Sequence, residues 1–357
     1  MKIGIITFHW GANHGAILQC YALCSFLKEA FNAEVEVIHY LPCNLEITTI
    51  NALKHIRGRA LFQKLKEVKK DKMLRSFRQR LPLSQRFYTN QELTEKALDY
   101  DVLITGSDQI WNPFFLMNGE NKVTPVYYLN FGSEHTRRIS VSASFGCKEL
   151  PEECKRIAKS LLKRFDAISV RENTGLDILM SMDITDAQVT ADPTALIARE
   201  DMLKLCGENA VIEPQSVSKF ILRKQNRQTN TLINAICSKY SCSKANDIEM
   251  LSIPEWLAAI RDSKVVVTNS FHCVMMCLKL HTPFAVVLEN GVGAGMNDRF
   301  ITLLGSFGLQ DRIITKVEEI GKLSSEIDFS AVDSNMEKYS ESLKRFLKGN
   351  INNEQIQ

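Results

Sequence analysis

A histidine, His272, follows a run of apolar residues at a position where α/β proteins commonly bind ligands. Residues Val265–Thr268 have the pattern of a buried strand, Asn269 and Ser270 come next, and Cys273–Leu280 is predicted to be helical. Ligands of open α/β sheets bind where strands end and helices begin. A histidine at such a point can transfer protons near neutral pH, although a packed or capping histidine is the alternative interpretation.

A second polar segment follows the apolar run Val102–Thr105 and contains the residue types that bind sugars. Carboxylates and amides hydrogen-bond to hydroxyl groups, and aromatic rings pack against apolar surfaces. Asp108, Trp111 and Asn112 supply all three kinds of group, and Ser107 directly precedes them. The alternative interpretation is a helix N-cap at Ser107 or Asp108 with a core tryptophan.

The loop Phe8–Gly15 lies between a predicted strand and a predicted helix. A helix N-terminus favours phosphate or carboxylate, because its backbone N–H groups are free and its dipole is positive there. The loop has no GxGxxG spacing, so a dinucleotide site is not indicated. The side chains expected to face a ligand are those of His9, Asn13, His14 and Gln19.

Two arginines are candidates for binding an anion. Arg171 comes directly after the apolar run Ala167–Val170, where its planar guanidinium would match a phosphate or carboxylate, and Glu172 could hold it in place. Arg299 follows the glycine-containing loop Gly291–Gly295 and would add a second cation. The glycine pattern alone is a weak signal.

These candidates require a scaffold of alternating strands and helices, which predicts parallel, doubly wound sheets. We therefore expect an α/β protein with two Rossmann-like domains facing a cleft, over 1–197 and 198–330, followed by a C-terminal helix and tail over 331–357. The predicted strands are Ile3–Thr7, Val35–Tyr40, Val102–Thr105, Ile139–Ala143, Ala167–Val170, Phe220–Leu222, Val265–Thr268 and Phe284–Leu288. The predicted helices span about 16–31, 231–240, 254–262, 273–280 and 334–348.

The composition is that of an ordinary globular protein, with 45% hydrophobic and 24% charged residues. A net charge of +3 gives no case for binding nucleic acid. The sequence has no apolar run long enough to span a membrane and no signal-peptide pattern, which predicts a cytoplasmic protein. Its 10 cysteines lack paired CxxC spacing, so we expect reduced thiols and no metal site.

Residues 54–80 depart from the average composition, with eleven Lys and Arg residues against two acidic ones. Leu61, Leu65, Val68 and Phe77 could form an apolar stripe along a helix there. Two interpretations stay open. A basic amphipathic helix can lie on an anionic membrane surface or attract an anionic acceptor, and it can also be a solvated helix that packs its stripe on the domain.

Together, these segments resemble the polysaccharide pyruvyl transferase family over roughly residues 1–315. The matching strings are Ile3–Thr7, Asn13–Leu23, Thr105–Asn112, Ser169–Glu172, Asp192–Thr194, Val267–His272 and Asn297–Phe300. The strings around Asp108 and His272 are specific, and the others are supportive. This chain has Cys273 where the family usually has glycine, and its stretch 221–255 looks compact.

The resemblance implies a GT-B-like fold and transfer of pyruvate from phosphoenolpyruvate to two hydroxyls of a sugar. It places the family's histidine on His272 and its arginine on Arg171. No cofactor or metal is expected. The donor-binding residues are then Arg171, Asn269, Ser270, His272 and Arg299. The acceptor-binding residues are His9, Asn13, His14, Gln19, Ser107, Asp108, Trp111 and Asn112.

The expected acceptor is a sugar in a surface polysaccharide or its lipid-linked oligosaccharide precursor. Peripheral contact with the inner membrane face is an open expectation, and the sequence does not indicate an oligomeric state. Two other functions are also open, namely a GT-B glycosyltransferase that uses a nucleotide sugar and a non-catalytic glycan-binding protein.

Overall fold

The chain is described by a computed structural model and divides into two compact units. The structure describes residues 1–41, 59–87, 89–96, 98–117, 124–208, 211–222, 226–288 and 297–351. The N-terminal unit comprises Met1–Leu196 and Ser340–Gln357, and the C-terminal unit comprises Ile197–Tyr339.

The N-terminal unit is built on a seven-stranded sheet in the order β3-β2-β1-β4-β5-β6-β7, in which every pairing is parallel. The strands are β1 (Lys2–Ile6), β2 (Glu34–Tyr40), β3 (Leu83–Phe87), β4 (Val102–Asp108), β5 (Arg137–Ala143), β6 (Ala167–Val170) and β7 (Ala187–Val189). The helices are α1 (His14–Phe31), α2 (Arg59–Arg78), α3 (Asn90–Glu95), α4 (Pro113–Met117), α5 (Glu152–Leu162) and α6 (Asn173–Met180), with short 3-10 helices at Pro125–Tyr128 and Pro193–Leu196.

The C-terminal unit has a four-stranded parallel sheet in the order β11-β10-β8-β9. The strands are β8 (Val217–Phe220), β9 (Asn246–Asp247), β10 (Val265–Thr268) and β11 (Phe284–Val286). Its helices are α7 (Arg199–Leu205), α8 (Arg227–Lys239), α9 (Ile253–Asp262), α10 (Phe271–Leu280) and α11 (Asp298–Phe307), with 3-10 helices at Gln310–Arg312 and Val317–Ser324. The C-terminal helix α12 spans Phe329–Ile351.

The central strands are buried because they consist almost entirely of β-branched and other apolar residues. Four of the five residues of β1 are buried, and all four residues of β10 are buried. Strands covered by helices on both faces have this continuous apolar pattern. The α/β fold with parallel sheets and a C-terminal helix is therefore as predicted.

Two predicted strand ends are wrong in ways that affect the candidate site. Strand β4 continues through Ser107 to Asp108, so these two residues belong to the strand and not to the loop beyond it. Strand β8 ends at Phe220, whereas the sequence predicted it to end at Leu222.

The basic segment forms helix α2 from Arg59, and residues 54–58 lie outside the described part of the chain. The predicted apolar stripe is only partly correct. Leu65 is 50% exposed, whereas Leu74 and Phe77 are buried. In the described residues, no helix is both long enough and apolar enough to cross a membrane.

Candidate functional site

The loop after β1 is fixed to the end of β4 by hydrogen bonds. The Thr7 hydroxyl lies 3.1 Å from Gly106 O and 2.9 Å from Ser107 O, and both carbonyls accept from it. Gln19 Nε2 donates to Thr7 Oγ1 at 3.0 Å and to Ala16 O at 2.9 Å. Gln19, predicted to face the acceptor, is fully buried and ties α1 to the loop.

Asn13 is the N-cap of α1. Its Oδ1 accepts from the backbone N–H groups of Gly15 at 3.0 Å and Ala16 at 3.4 Å. An N-cap side chain of this kind satisfies N–H groups that have no partner within the helix. His14, the first residue of the helix, is fully buried. Asn13, which was predicted to face a ligand, therefore uses its side-chain oxygen to cap α1.

His9 is fully buried, and its Nδ1 lies 3.0 Å from Thr7 O. Because a carbonyl oxygen can only accept, Nδ1 carries the proton of this hydrogen bond. Burial, together with smaller effects of the nearby His39 and Arg78, lowers the pKa of His9 to about 3. His9 is therefore neutral near pH 7.

Trp111 cannot serve as the predicted platform for a sugar ring. It is fully buried, it stacks on Tyr128 with an interplanar angle of 9°, and its Nε1 donates to Tyr127 O at 3.1 Å. The alternative of a core tryptophan is correct. The indole also contacts the ring of Phe145, which lies just after β5.

Asp108 and Asn112 enclose a turn that closes the end of β4. Asp108 has a left-handed backbone with φ of 77°, and its Oδ1 accepts from Gln109 N at 2.9 Å. Asn112 Oδ1 accepts from Phe114 N at 3.0 Å. Gly146 passes so close that a Cβ there would lie 2.6 Å from Gln109 Oε1 and 2.9 Å from Asn112 Nδ2. The left-handed backbone of Gly146, with φ of 62°, also favours glycine there. Gln109 thus belongs to this part of the site, although it was not among the predicted site residues.

Arg171 is buried between two carboxylates at the end of β6. Its side chain has 0% exposure, with Nε 3.4 Å from Glu172 Oε2 and Nη1 3.6 Å from Asp192 Oδ2. Its backbone N–H donates to Ala143 O at 3.1 Å, which fixes it to the end of β5. The guanidinium charge is thus compensated within the unit, and direct contact with a donor stays a prediction.

Asp192 connects this arginine to β4. Its Oδ2 accepts from Ser107 Oγ at 2.7 Å, and its Oδ1 accepts from Thr194 N at 3.0 Å and Thr194 Oγ1 at 2.7 Å. Ser107, predicted to bind the acceptor, instead orients Asp192. Asp192 was part of a motif in the sequence but was not predicted to be a site residue, and the Asp-Pro-Thr string was the signal.

Buried hydroxyl groups link β5, β6 and the segment after β7. Ser169 Oγ lies 3.0 Å from Ser140 O, and Thr190 Oγ1 lies 2.9 Å from Ser169 Oγ. Ser142 Oγ lies 2.9 Å from Thr190 Oγ1 and 2.5 Å from Ala191 O. This hydroxyl chain ends one residue before Asp192.

The N-terminal unit therefore brings several predicted residues into one network. Hydrogen bonds and an ion pair run from Gln19 through Thr7 and the Ser107 segment to Asp192 and Arg171. This network joins the predicted acceptor residues to the predicted donor arginine. Its members are mostly buried, so they hold the strand ends in place.

The second group of candidates lies in the C-terminal unit, after β10. Asn269 Oδ1 accepts from Leu222 N at 2.7 Å, and its Nδ2 donates to Leu222 O at 3.0 Å. The amide thus replaces a backbone partner for Leu222, just beyond the end of β8. Thr268 Oγ1 donates to Phe220 O at 2.7 Å and accepts from Ser270 N at 3.0 Å.

His272 lies in the first turn of α10, which begins two residues earlier than predicted. Ser270 is the N-cap, and its Oγ accepts from Cys273 N at 3.4 Å. The His272 ring packs edge-on against Phe271 with centroids 5.4 Å apart, and 6% of the residue is exposed. A histidine in this position lies at the positive end of the helix dipole, where phosphate and carboxylate are stabilised.

Arg299 lies in the first turn of α11, with its guanidinium 5.3 Å from the centre of the Phe300 ring. The loop Gly291–Gly295, which led to its selection, falls outside the described residues. For metal binding, the described ranges contain no group of three or more His, Cys, Asp or Glu side chains suited to hold an ion.

A family model for polysaccharide pyruvyl transferase matches residues 13–290. The chain belongs to the polysaccharide pyruvyl transferase family. The matched span begins at the α1 N-cap and includes Ser107, Arg171, Asp192 and His272, while Arg299 lies beyond it. No curated protein matches the chain.

Solved structures with a similar fold include UDP-N-acetylglucosamine 2-epimerase from Rickettsia bellii, at 10% identity over 98% of this chain and 95% of that chain, with a TM-score of 0.52. A putative enzyme of the same name from Listeria monocytogenes has 10% identity over 97% of this chain and 94% of that chain, with a TM-score of 0.53. At such identities the likeness concerns the fold alone. It confirms the predicted GT-B-type fold.

Proposed function

We propose that this chain is a ketal pyruvyl transferase that moves pyruvate from phosphoenolpyruvate to two hydroxyls of one sugar. The acceptor in this proposal is a surface polysaccharide or its lipid-linked precursor. The observation that carries the proposal is the position of His272 within the family match, at the N-terminus of α10 directly after a buried strand.

The reaction needs an acid at the donor's C3 carbon, because protonation there makes C2 electrophilic. In the proposed mechanism His272 gives its proton to C3, and the first sugar hydroxyl adds to C2 while passing its proton to the neutral imidazole. The C2–O bond to phosphate then breaks, and the second hydroxyl closes the ketal ring. The second hydroxyl's proton leaves with phosphate as hydrogen phosphate, so no net proton is consumed.

The N-terminus of α10 supports this role through electrostatics. The positive end of the helix dipole stabilises the donor's phosphate and carboxylate beside the imidazole. The first turn of α10 contains no acidic residue that would repel these anions. Arg299 lies in the first turn of α11 in the same unit and is a cation of the proposed donor site.

The test is phosphate release from phosphoenolpyruvate in the presence of candidate glycan acceptors, for wild type and His272→Gln. A positioned proton donor contributes about 10²–10⁴-fold to a rate, so the variant should lose turnover by that factor at an unchanged melting temperature. His281→Asn is the matched control, because His281 caps the other end of α10 and pairs with Asp333 at 2.8 Å.

Three results would contradict the proposal. Undiminished transfer by a folded His272→Gln variant would remove the assigned acid. Saturable binding of UDP, with no binding of phosphoenolpyruvate, would favour a glycosyltransferase that uses a nucleotide sugar. Glycan binding without any consumption of phosphoenolpyruvate would identify a non-catalytic glycan-binding protein.

A further inference from the structure

A cluster of basic side chains lies at one end of the N-terminal sheet, away from Arg171. His39 on β2 is paired in register with Arg86 on β3. The His39 and His9 rings meet edge to face, with centroids 5.1 Å apart. Arg78 ends α2, and its charge lowers the pKa of both histidines, after the larger effect of burial. We call His9, His39, Arg78 and Arg86 the His–Arg cluster.

The cluster is held in place by the fold. Arg78 Nη2 donates to Asp71 Oδ1 at 2.8 Å, and both side chains are largely buried. Ser84 Oγ accepts from His39 N at 3.0 Å, which fixes the backbone of β2 against β3. Three neighbouring strands and one helix thus bring together two imidazoles and two guanidiniums, and Asp71 compensates the charge of Arg78.

The His9 ring has a nitrogen acceptor, Nε2, whose chemistry indicates the kind of ligand. Its Nδ1 donates a hydrogen bond to Thr7 O. Its Nε2 is buried and has no hydrogen-bond partner in the described part of the chain. A buried polar atom without a partner costs free energy unless a ligand satisfies it. In the neutral ring, Nε2 can accept a hydrogen bond from a P–OH group. A carboxylate cannot donate such a bond.

The position separates this cluster from the donor residues. Strands β2 and β6 are four strand intervals apart in the sheet, which corresponds to roughly 19 Å at the usual spacing. A three-carbon donor held near Arg171 does not reach that far. An anion bound by the cluster is therefore a different group from one bound beside Arg171.

We propose that the His–Arg cluster binds the phosphoryl group of a phosphorylated sugar acceptor. The assignment to the acceptor rests on the proposed transfer reaction, whereas the site itself rests on the cluster. Arginine supplies bidentate hydrogen bonds to phosphate, and the neutral histidines complete the set with a donor and an acceptor. The group is a phosphate monoester or a diphosphate.

The test is calorimetric titration with methyl phosphate and, separately, methyl diphosphate. Wild type is compared with Arg86→Gln and His39→Gln, whose side chains are partly exposed and whose loss the fold should tolerate. Loss of a charge-assisted hydrogen bond should weaken binding by about tenfold or more. Lys72→Gln is the control, because it removes one positive charge from an exposed side chain on α2.

The tighter of the two ligands identifies a monoester or a diphosphate acceptor, and either result supports the site. If Arg86→Gln and His39→Gln bound methyl phosphate and methyl diphosphate as tightly as wild type does, the proposed site would be wrong. A loss of phosphoenolpyruvate affinity in Arg86→Gln equal to its loss of methyl phosphate affinity would assign the cluster to the donor and overturn the inference. Because binding is measured without turnover, absence of pyruvyl transfer would leave this result intact.

Discussion

Arg171 and His272 both follow a buried parallel strand, yet the two units use these positions differently. In the N-terminal unit, the end of β6 carries a charged side chain with 0% exposure that is paired with two carboxylates. In the C-terminal unit, the end of β10 is closed by the neutral groups Thr268, Asn269 and Ser270, and His272 follows on the first helical turn.

The difference shows that a polar residue at a strand end can have either of two roles. Arg171, Asp192 and Ser107 bind to one another, so their polarity is used to join strands. Asn269 and Ser270 satisfy backbone groups around β8 and α10, and His272 follows them on the first helical turn. Chemistry is therefore expected at His272 and structural support at Arg171.

The largest effect on the free energy of unfolding is expected when the charged side chain of Arg171 is replaced by an apolar one. Arg171→Met should lower the free energy of unfolding by about 3–5 kcal/mol, because Glu172 and Asp192 would be left buried without their cation. His272→Gln should change that free energy little while it lowers turnover. Urea unfolding measured beside phosphate release separates the two roles.

The contrary result would be informative. If Arg171→Met kept its stability but no longer bound phosphoenolpyruvate, Arg171 would be a donor contact, as the sequence predicted. The comparison between the two strand ends would then fail.

An intermediate effect is expected at Asn269. Asn269→Ala leaves both the N–H and the C=O of Leu222 without their partner, which should cost about 1–3 kcal/mol of unfolding free energy. Asn269→Asp should restore only the accepting half, since a carboxylate cannot donate to Leu222 O. Urea midpoints that rank wild type above both variants would support a structural amide, whereas an unchanged midpoint would point to a role in binding.

The smallest effect concerns a partly exposed carboxylate of the C-terminal unit. Glu319 accepts from Thr315 N at 2.8 Å and pairs with Lys322 at 2.9 Å, and these contacts lower its pKa from 4.5 to about 2. A lowered folded-state pKa stabilises the protein above the unfolded value and loses that effect as the pH falls through the folded value.

Glu319→Gln should therefore be slightly less stable than wild type above about pH 4.5, and the two should converge as the pH approaches 2. Urea midpoints over this range measure the difference. Glu318→Gln, the exposed neighbour, is the control and should track wild type. A gap that widens on acidification would contradict the assigned hydrogen bonds.

Most of the strands and their parallel arrangement could be predicted because apolar runs and helical spacing are local features of the sequence. The short or less apolar strands β3, β7 and β9 were not predicted. The positions of Arg171 and His272 after strands followed from the same pattern. Burial of side chains at strand ends could not be predicted in this way. Trp111 looked suited to a sugar, but its stacking partner Tyr128 is supplied by a 3-10 helix 17 residues further on.

The His–Arg cluster was missed for a related reason. Its members are far apart in sequence, and adjacency arises only from the strand order β3-β2-β1. His39 and Arg86 each occupy ordinary strand positions, and no local motif marks them. Side chains that meet across a sheet become visible only once the pairing register is known.

The chain of buried hydroxyl groups near Asp192 has one hydroxyl proton fewer than it has hydrogen-bond contacts. Four contacts join Ser140 O, Ser169, Thr190, Ser142 and Ala191 O, whereas the three hydroxyls carry three protons. The two carbonyls only accept, so Ser169 and Ser142 must donate to them. Thr190 can then donate to either neighbour, and its hydroxyl has two orientations of opposite dipole. Rotation about one bond thus reverses part of the polarity two residues from Asp192 without moving a heavy atom.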